Sequence, residues 1–169
     1  LSYLPHSKAF NIDKNIKFLQ SSKPEFEEYS REVFESNKSH EMQLKAYNSV
    51  FCGVEIINDL LEDKYLFLDN QMNLCVSNGL EIEDLSHGEL RLINIILSIH
   101  MSLLRSKRES VIILIDEPEV GLHLKWQSKL MDALGNLLRV HQTDLLNFRI
   151  LLASHSPEIV GSYPHLSTS

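Results

Sequence analysis

The chain has no apolar run approaching the ~20 residues that a membrane-spanning helix needs, and no basic-then-apolar leader opens it. Cysteine is scarce. Cys52 and Cys75 are the two present, and they fit neither a disulfide framework nor a zinc-binding spacing, so a reduced, cytoplasmic setting is expected. No H-E-x-x-H or comparable metal spacing occurs, and His6, His40, His100, His141 and His165 lack any partner pattern, reading as surface or satisfied residues. Positive charge is in deficit: Lys and Arg number 16 against 23 Asp and Glu, a net charge of −7. That argues against a protein coating nucleic acid with its whole surface; Arg105, Lys107 and Arg108 form a local patch that leaves nucleic acid possible as a partner, though a solvated helix end explains them equally. The six glycines, at 53, 79, 88, 121, 135 and 161, are never followed by Lys. The chain therefore lacks the G-x-x-x-x-G-K-[ST] loop that cradles phosphates.

What remains is an ordinary globular composition. The 169 residues suit about one domain, with 43% hydrophobic and 23% charged residues. The chain opens on Leu1 rather than Met, and apolar, motif-bearing sequence continues almost to its end, as expected for a piece of a longer protein. Residues 1–22 carry no clear period. Ser22 and Pro24, followed by Glu25, Glu27 and Glu28, predict a helix start, and this helix runs to about Ser36 before a break at Asn37–Ser39. A second helix is predicted over 41–62, with Tyr47, Val50, Phe51, Val54, Ile57 and Leu61 on one face. Residues 65–69 and 73–77 read as the two strands of a hairpin, and Asn78-Gly79 as a further turn. A long apolar helix follows over 87–105, then a buried strand over Val111–Ile115. A helix over 124–140, with Trp126, Leu130, Leu134, Leu137 and Leu138 inward, leads to a second buried strand over 149–154. The last three elements form a βαβ unit.

Three short signals in this half carry chemistry. LSHGE (85–89) has the S-x-x-E spacing of a capping box, with Ser86 at the N-cap and Glu89 closing it. Gly88 would keep that first turn open, so the amides and positive end of the helix could meet an anion. VIILIDEP (111–118) puts Asp116 and Glu117 at the C-terminal end of a buried strand, where open α/β sheets bind ligands. The first carboxylate suits Mg²⁺ as a hard oxygen ligand, and the second can orient and polarise a water. LLASHSP (151–157) puts His155 just beyond a neighbouring strand, where its ring could donate to the same phosphate. Each signal alone has a plain structural explanation: a helix cap, an acidic turn, a strand-end histidine.

In this order and spacing the three resemble the signature, Walker B and switch-histidine motifs of the ABC-type ATPases, specifically the RecF/SMC/OLD-like group. The signature ends in Glu rather than the Gln common in transporters, Walker B continues as DEPEVGLH (116–123), and the switch region reads ASHSPEIV (153–160). Leu124 stands where relatives often have Pro. The resemblance implies an α/β fold: the C-terminal part of an ABC-type P-loop NTPase, a mostly parallel sheet flanked by helices, with an inserted helical lobe. Residues 80–169 would be the signature, Walker B and switch half of the core, and residues 1–79 the lobe between P-loop and signature. It implies ATP and Mg²⁺ as cofactors, and a homodimer sandwiching ATP head to tail. Ser86, His87, Gly88 and Glu89 would contact ATP in trans, with Gly121 and His123 in the loop crossing the seam. Asp116 would support Mg²⁺, Glu117 would be the general base, and His155 the switch. The implied setting is a DNA-repair or anti-phage defence machine with a nuclease or other effector and no membrane component. The alternative is a non-catalytic ABC-fold dimerisation or sensor module that regulates a partner nuclease. Without amides and a lysine to hold the β- and γ-phosphates, the 1–169 polypeptide by itself is expected to bind ATP poorly and to release no phosphate; sustained turnover in a phosphate-release assay would contradict this.

Overall fold

A computed structural model of the protein describes residues 2–3, 12–36, 40–105, 110–141 and 147–162, with side chains over 23–35, 49–105, 111–141 and 149–161. Its largest sheet is parallel throughout. Strand β1 (Ser2–Tyr3) pairs with β4 (Ser110–Asp116), which pairs in turn with β5 (Asn147–Ala153), in the order β1-β4-β5. Helix α4 (Leu124–His141) connects β4 to β5, so the βαβ unit expected from the apolar runs is present. Its inner stripe is Leu130, Leu134 and Leu137, each buried, with Trp126 and Leu138 packed partly against the core. Alternate residues of β4 point into the core (Val111, Ile113 and Ile115), while Ile112 and Leu151 face outward and are 41% and 53% exposed. β1 has no counterpart in the sequence pattern, because a two-residue strand carries no period.

Helix α3 (His87–Leu104) runs through the centre. Leu90, Leu92, Ile93, Ile96, Leu97 and Ile99 are each at most 2% exposed, and a helix apolar on nearly every side must be surrounded. α1 (Ile12–Ser36), α2 (His40–Asn58) and α4 all pack on it, and one hydrophobic cluster extends from Phe26 to Ile159. No helix among the described residues is long and apolar enough to cross a membrane.

Two helix boundaries differ from the sequence pattern. α1 begins at Ile12 rather than after Ser22, and passes through Pro24. Proline removes one backbone hydrogen bond in a helix interior, but Phe26 is fully buried against α3, where it meets the His100 ring. Tertiary packing outweighs the local break. α2 ends at Asn58 instead of 62, because the Asn58 side chain accepts from Leu66 N–H at 2.7 Å and donates to its carbonyl at 2.9 Å. Leu60 and Leu61 are buried from the turn that follows, so the apolar stripe outlasts the helix that carries it. The hairpin is trimmed to β2 (Leu66–Leu68) and β3 (Leu74–Val76), and it docks on α1 through Leu74 N–H to the Glu27 carboxylate at 2.7 Å. Asn78 and Gly79 take left-handed backbones (φ 64° and 69°) in the turn read from their pair. A short helix α5 (Pro157–Ser162) closes the described chain. The expected break at Asn37–Ser39, the Tyr47 side chain, and Lys107, Arg108, His6 and His165 lie outside the described residues.

His100 is a satisfied residue, buried and hydrogen-bonded, but the sequence carries no sign of its neighbours: the ligand-type atoms of Cys52, His100 and His141 lie within 4.8 Å of one another. Residues 48 and 41 positions apart meet because α2, α3 and α4 are neighbours, which no local spacing reveals.

Candidate functional site

Two of the three signals, the acidic turn and the histidine segment, leave the same end of the sheet. β4 and β5 are adjacent and parallel, with Asp116 opposite Ala153, so the carboxylate pair and His155 leave the same end of the sheet two residues apart in register. Glu117 continues the ladder by donating its N–H to the Ala153 carbonyl at 2.8 Å. It then turns with φ 46°, a left-handed backbone that a non-glycine residue holds only at a cost of about 1–3 kcal/mol. Arg91 of α3 secures that turn, donating to the Glu117 carbonyl at 2.7 Å and to the Pro118 carbonyl at 3.3 Å. Burial lowers the Arg91 pKa, and the carboxylates of Glu119 and Glu117 work against that burial. Asp116 and Glu117 are both half-buried.

Glu119 links the acidic turn to the histidine segment. One of its oxygens accepts from the backbone N–H of His155 at 2.8 Å and of Ser156 at 3.2 Å. Its other oxygen is buried with no hydrogen-bond partner. Ser156 donates its hydroxyl to Gln127 at 2.6 Å, and Gln127 donates to the Leu122 carbonyl at 3.0 Å. Buried Ser156 and Gln127 thus tie the segment after β5 to the start of α4. The His155 side chain is exposed.

The turn between β4 and α4 is compact. Gly121 takes φ 79°, Leu122 is buried beneath the turn, and Leu122 N–H donates to the Glu119 carbonyl at 2.9 Å. Exposed His123 caps α4: its Nδ1 accepts from Lys125 N–H at 3.4 Å and its carbonyl from Trp126 N–H at 2.8 Å.

At the start of α3 the capping box is formed as the S-x-x-E spacing requires. Ser86 Oγ accepts from Glu89 N–H at 3.4 Å, and Ser86 N–H donates to the Glu89 carboxylate at 2.7 Å. The Ser86 hydroxyl also donates to Glu89 at 2.7 Å, and Lys64 pairs with the other Glu89 oxygen at 2.9 Å. Burial alone would raise the Glu89 pKa, but these Ser86 and Lys64 contacts outweigh it and hold the carboxyl below its ordinary range. Glu89 is therefore buried and committed within its own chain, while Ser86 and His87 are exposed.

Gly88 also has a packing role. A Cβ there would lie 2.2 Å from the Trp126 ring. The glycine is required by the indole of α4 packing against α3, and Gly88 is itself buried. No space for an anion needs to be invoked at its α-carbon. The sequence also passed over four residues that hold the site together: Arg91, Glu119, Gln127 and Lys64. Arg91 had a signal, since it is the only Lys, Arg, Asp or Glu between Glu89 and Arg105 in a largely apolar helix. Glu119 lies in the DEPEVGLH segment but was given no role there, and Gln127 and Lys64 had no signal.

The AAA ATPase domain family matches residues 5–160, most of the chain. The chain belongs to that family. Among solved structures it is similar to the crystal structure of the SmcHead bound to the C-winged helix domain of ScpA, with a TM-score of 0.56 at 15% identity. The likeness covers 88% of this chain and 47% of that one, so this AAA ATPase domain spans about half the length of the SMC head it resembles. No curated protein matches it in sequence. The fold is that of an ABC-type, SMC-like ATPase head, with a parallel sheet flanked by helices.

Two outcomes follow from the geometry. Gly88→Ala forces the Trp126 ring aside and should destabilise the protein by about 1–3 kcal/mol; Trp126 is the only tryptophan, so its emission reads that junction directly, and unchanged emission and stability would refute the contact. Glu89 titrates lower when folded, so its stabilisation is fully present above the ordinary value of 4.5 and is lost as pH falls through the lowered folded value. Denaturant melts should place Glu89→Gln about 1–3 kcal/mol below wild type at neutral pH, with the gap narrowing as acid protonates Glu89 in the wild type.

Proposed function

We propose that this AAA ATPase domain binds and hydrolyses ATP at a head-to-tail homodimer interface, once the phosphate-cradling loop is supplied by the rest of the protein. The observation that carries this reading is the adjacency of β4 and β5. It brings Asp116, Glu117 and the segment of His155 to one edge, tied by the hydrogen bonds of Glu119 to His155 and Ser156. The donor set suits Mg²⁺, because half-buried carboxylates at a strand end are hard oxygen ligands. Asp116 would hold the ion, which supplies neutralisation of charge on the β- and γ-phosphates when bound.

Glu117 would accept the proton of the attacking water. Its left-handed backbone, pinned by Ala153 and Arg91, sets its side chain apart from the ladder. His155 would donate to the γ-phosphate and report its presence. Ser86, His87 and the backbone at Gly88 would meet ATP held by the second subunit, at a helix end whose positive dipole favours an anion. Glu89 would serve this from behind by orienting Ser86. Gly121 and His123, in the exposed turn before α4, would lie at the seam. Residues 1–79, apart from β1, would form the lobe inserted ahead of the signature. The wider role would be in a DNA-repair or anti-phage defence complex, beside a nuclease or other effector and with nucleic acid as a possible trigger, in the cytoplasm.

Replacing Glu117 by Gln in the full-length protein tests the reading. Turnover should fall by about 10²–10⁴-fold, the usual contribution of a positioned acid–base group, while ATP binding persists and a nucleotide-bound dimer accumulates on gel filtration. An unchanged steady-state rate would remove Glu117 from the chemistry.

A further inference from the structure

Away from the sheet edge, three side chains from three helices converge: Cys52 of α2, His100 of α3 and His141, the last residue of α4. The His100 ring is fully buried. Its Nε2 lies 3.3 Å from the Val50 carbonyl, which can only accept, so Nε2 carries the proton and Nδ1 keeps the lone pair. That lone pair points at the other two groups, with His141 Nε2 at 2.9 Å and Cys52 Sγ at 4.0 Å. A backbone carbonyl fixing the tautomer of one ring nitrogen while the other faces a cluster of donors is the usual support of a metal-ligating histidine.

The neighbourhood is shaped for this ring. A Cβ at Gly53, the residue after Cys52, would lie 2.5 Å from the His100 ring. A glycine inside a helix costs about 1 kcal/mol relative to alanine, and here it lets the imidazole lie against α2. Burial pushes the His100 pKa down to about 3, with His141 adding to it, and lowers that of His141 as well.

The plainer alternative is a satisfied core pair, with His141 Nε2–H donating to His100 Nδ1 and the Cys52 thiol donating to the Ser49 carbonyl at 3.2 Å. It accounts for the distances but not for the convergence of a sulfur and a second imidazole on one lone pair. In a tetrahedral Zn²⁺ site with bonds of about 2.0 and 2.3 Å, such donor atoms stand roughly 3.3–3.6 Å apart. The observed 2.9 and 4.0 Å fall on either side of that spacing. We propose that Cys52 Sγ, His100 Nδ1 and His141 Nε2 form a binding site for one borderline divalent cation of the Zn²⁺ class, with water as the fourth ligand on the half-buried His141 side. Binding exchanges the Cys52 S–H bond for a sulfur–metal bond and releases that proton to solvent, so burial, which pushes the metal-free thiol up to about 11, opposes binding. The ion would clamp α2, α3 and α4 together, the last two being the helices that begin at LSHGE and after the acidic turn.

Co²⁺ titration of the tag-free, chelator-treated full chain tests this. One equivalent should give tetrahedral visible bands and a thiolate charge-transfer band, with Zn²⁺ displacing Co²⁺ and raising the melting temperature. Cys52→Ser should abolish the charge-transfer band, and both it and His141→Ala should weaken binding by more than about 100-fold, beyond the loss caused by removing a supporting partner. Cys75→Ser should bind as wild type does. Circular dichroism confirms that each variant is folded, and His141, at a helix end and half-buried, is replaceable without opening the core. No stoichiometric binding by wild type, or binding unchanged in folded Cys52→Ser and His141→Ala, would overturn the proposal.

Discussion

The turn at Glu117 is the constraint on which the acidic edge depends. A glutamate in the left-handed region is held there from both sides, by the Ala153 carbonyl accepting its N–H and by Arg91 donating to its own carbonyl. The first contact extends the β4–β5 ladder one step past Asp116, and the second fastens the turn to the central helix. Removing either would let the backbone relax to an ordinary conformation and redirect the carboxylate. Strain of this kind persists only where the surroundings over-determine it, and here strand, helix and turn all contribute.

Helix α3 distributes that constraint. Its first turn carries the capping box, its second carries Arg91, its middle forms the core, and near its far end His100 meets α2 and α4. Gly88 and Trp126 add a second rigid junction, between the starts of α3 and α4. A displacement of the LSHGE segment is therefore mechanically shared with the acidic turn through Arg91 and with α4 through the indole. Close-packed interiors transmit such shifts rather than absorbing them.

Much of the motif-bearing half was legible in the sequence for a simple reason. Strands of a parallel sheet are rich in branched apolar residues, and Val111–Ile115 and the 149–154 segment have that composition. Val111, Ile113 and Ile115 are buried as expected, whereas residues 149–154 are half-buried or exposed, so the second strand is not the buried one its composition predicts. The capping box at Ser86 and Glu89 is a local pattern with a local cause, and it formed as read. The N-terminal half was less legible. Pro24 announced a helix start that the buried Phe26 overrode, and the buried Leu61 prolonged a stripe past the real end of α2. The packing role of the LSHGE glycine was not legible, since its partner, Trp126, stands 38 positions away.

Taken alone, the sequence determined which segments are strands and helices around the three motifs, the residue types at the sheet edge, and the family to which the chain belongs. These depend on periodicity, capping and short motifs, all interactions within a few residues. Tertiary structure alone decided that Arg91 holds the Glu117 turn, that Glu119 reaches the amides of His155 and Ser156, and that Cys52, His100 and His141 share one lone pair. Those contacts join groups brought close only when the strands pair and the helices pack around a common core, and the free energy that packs them comes from burying apolar surface, which is blind to the polar side chains it carries along.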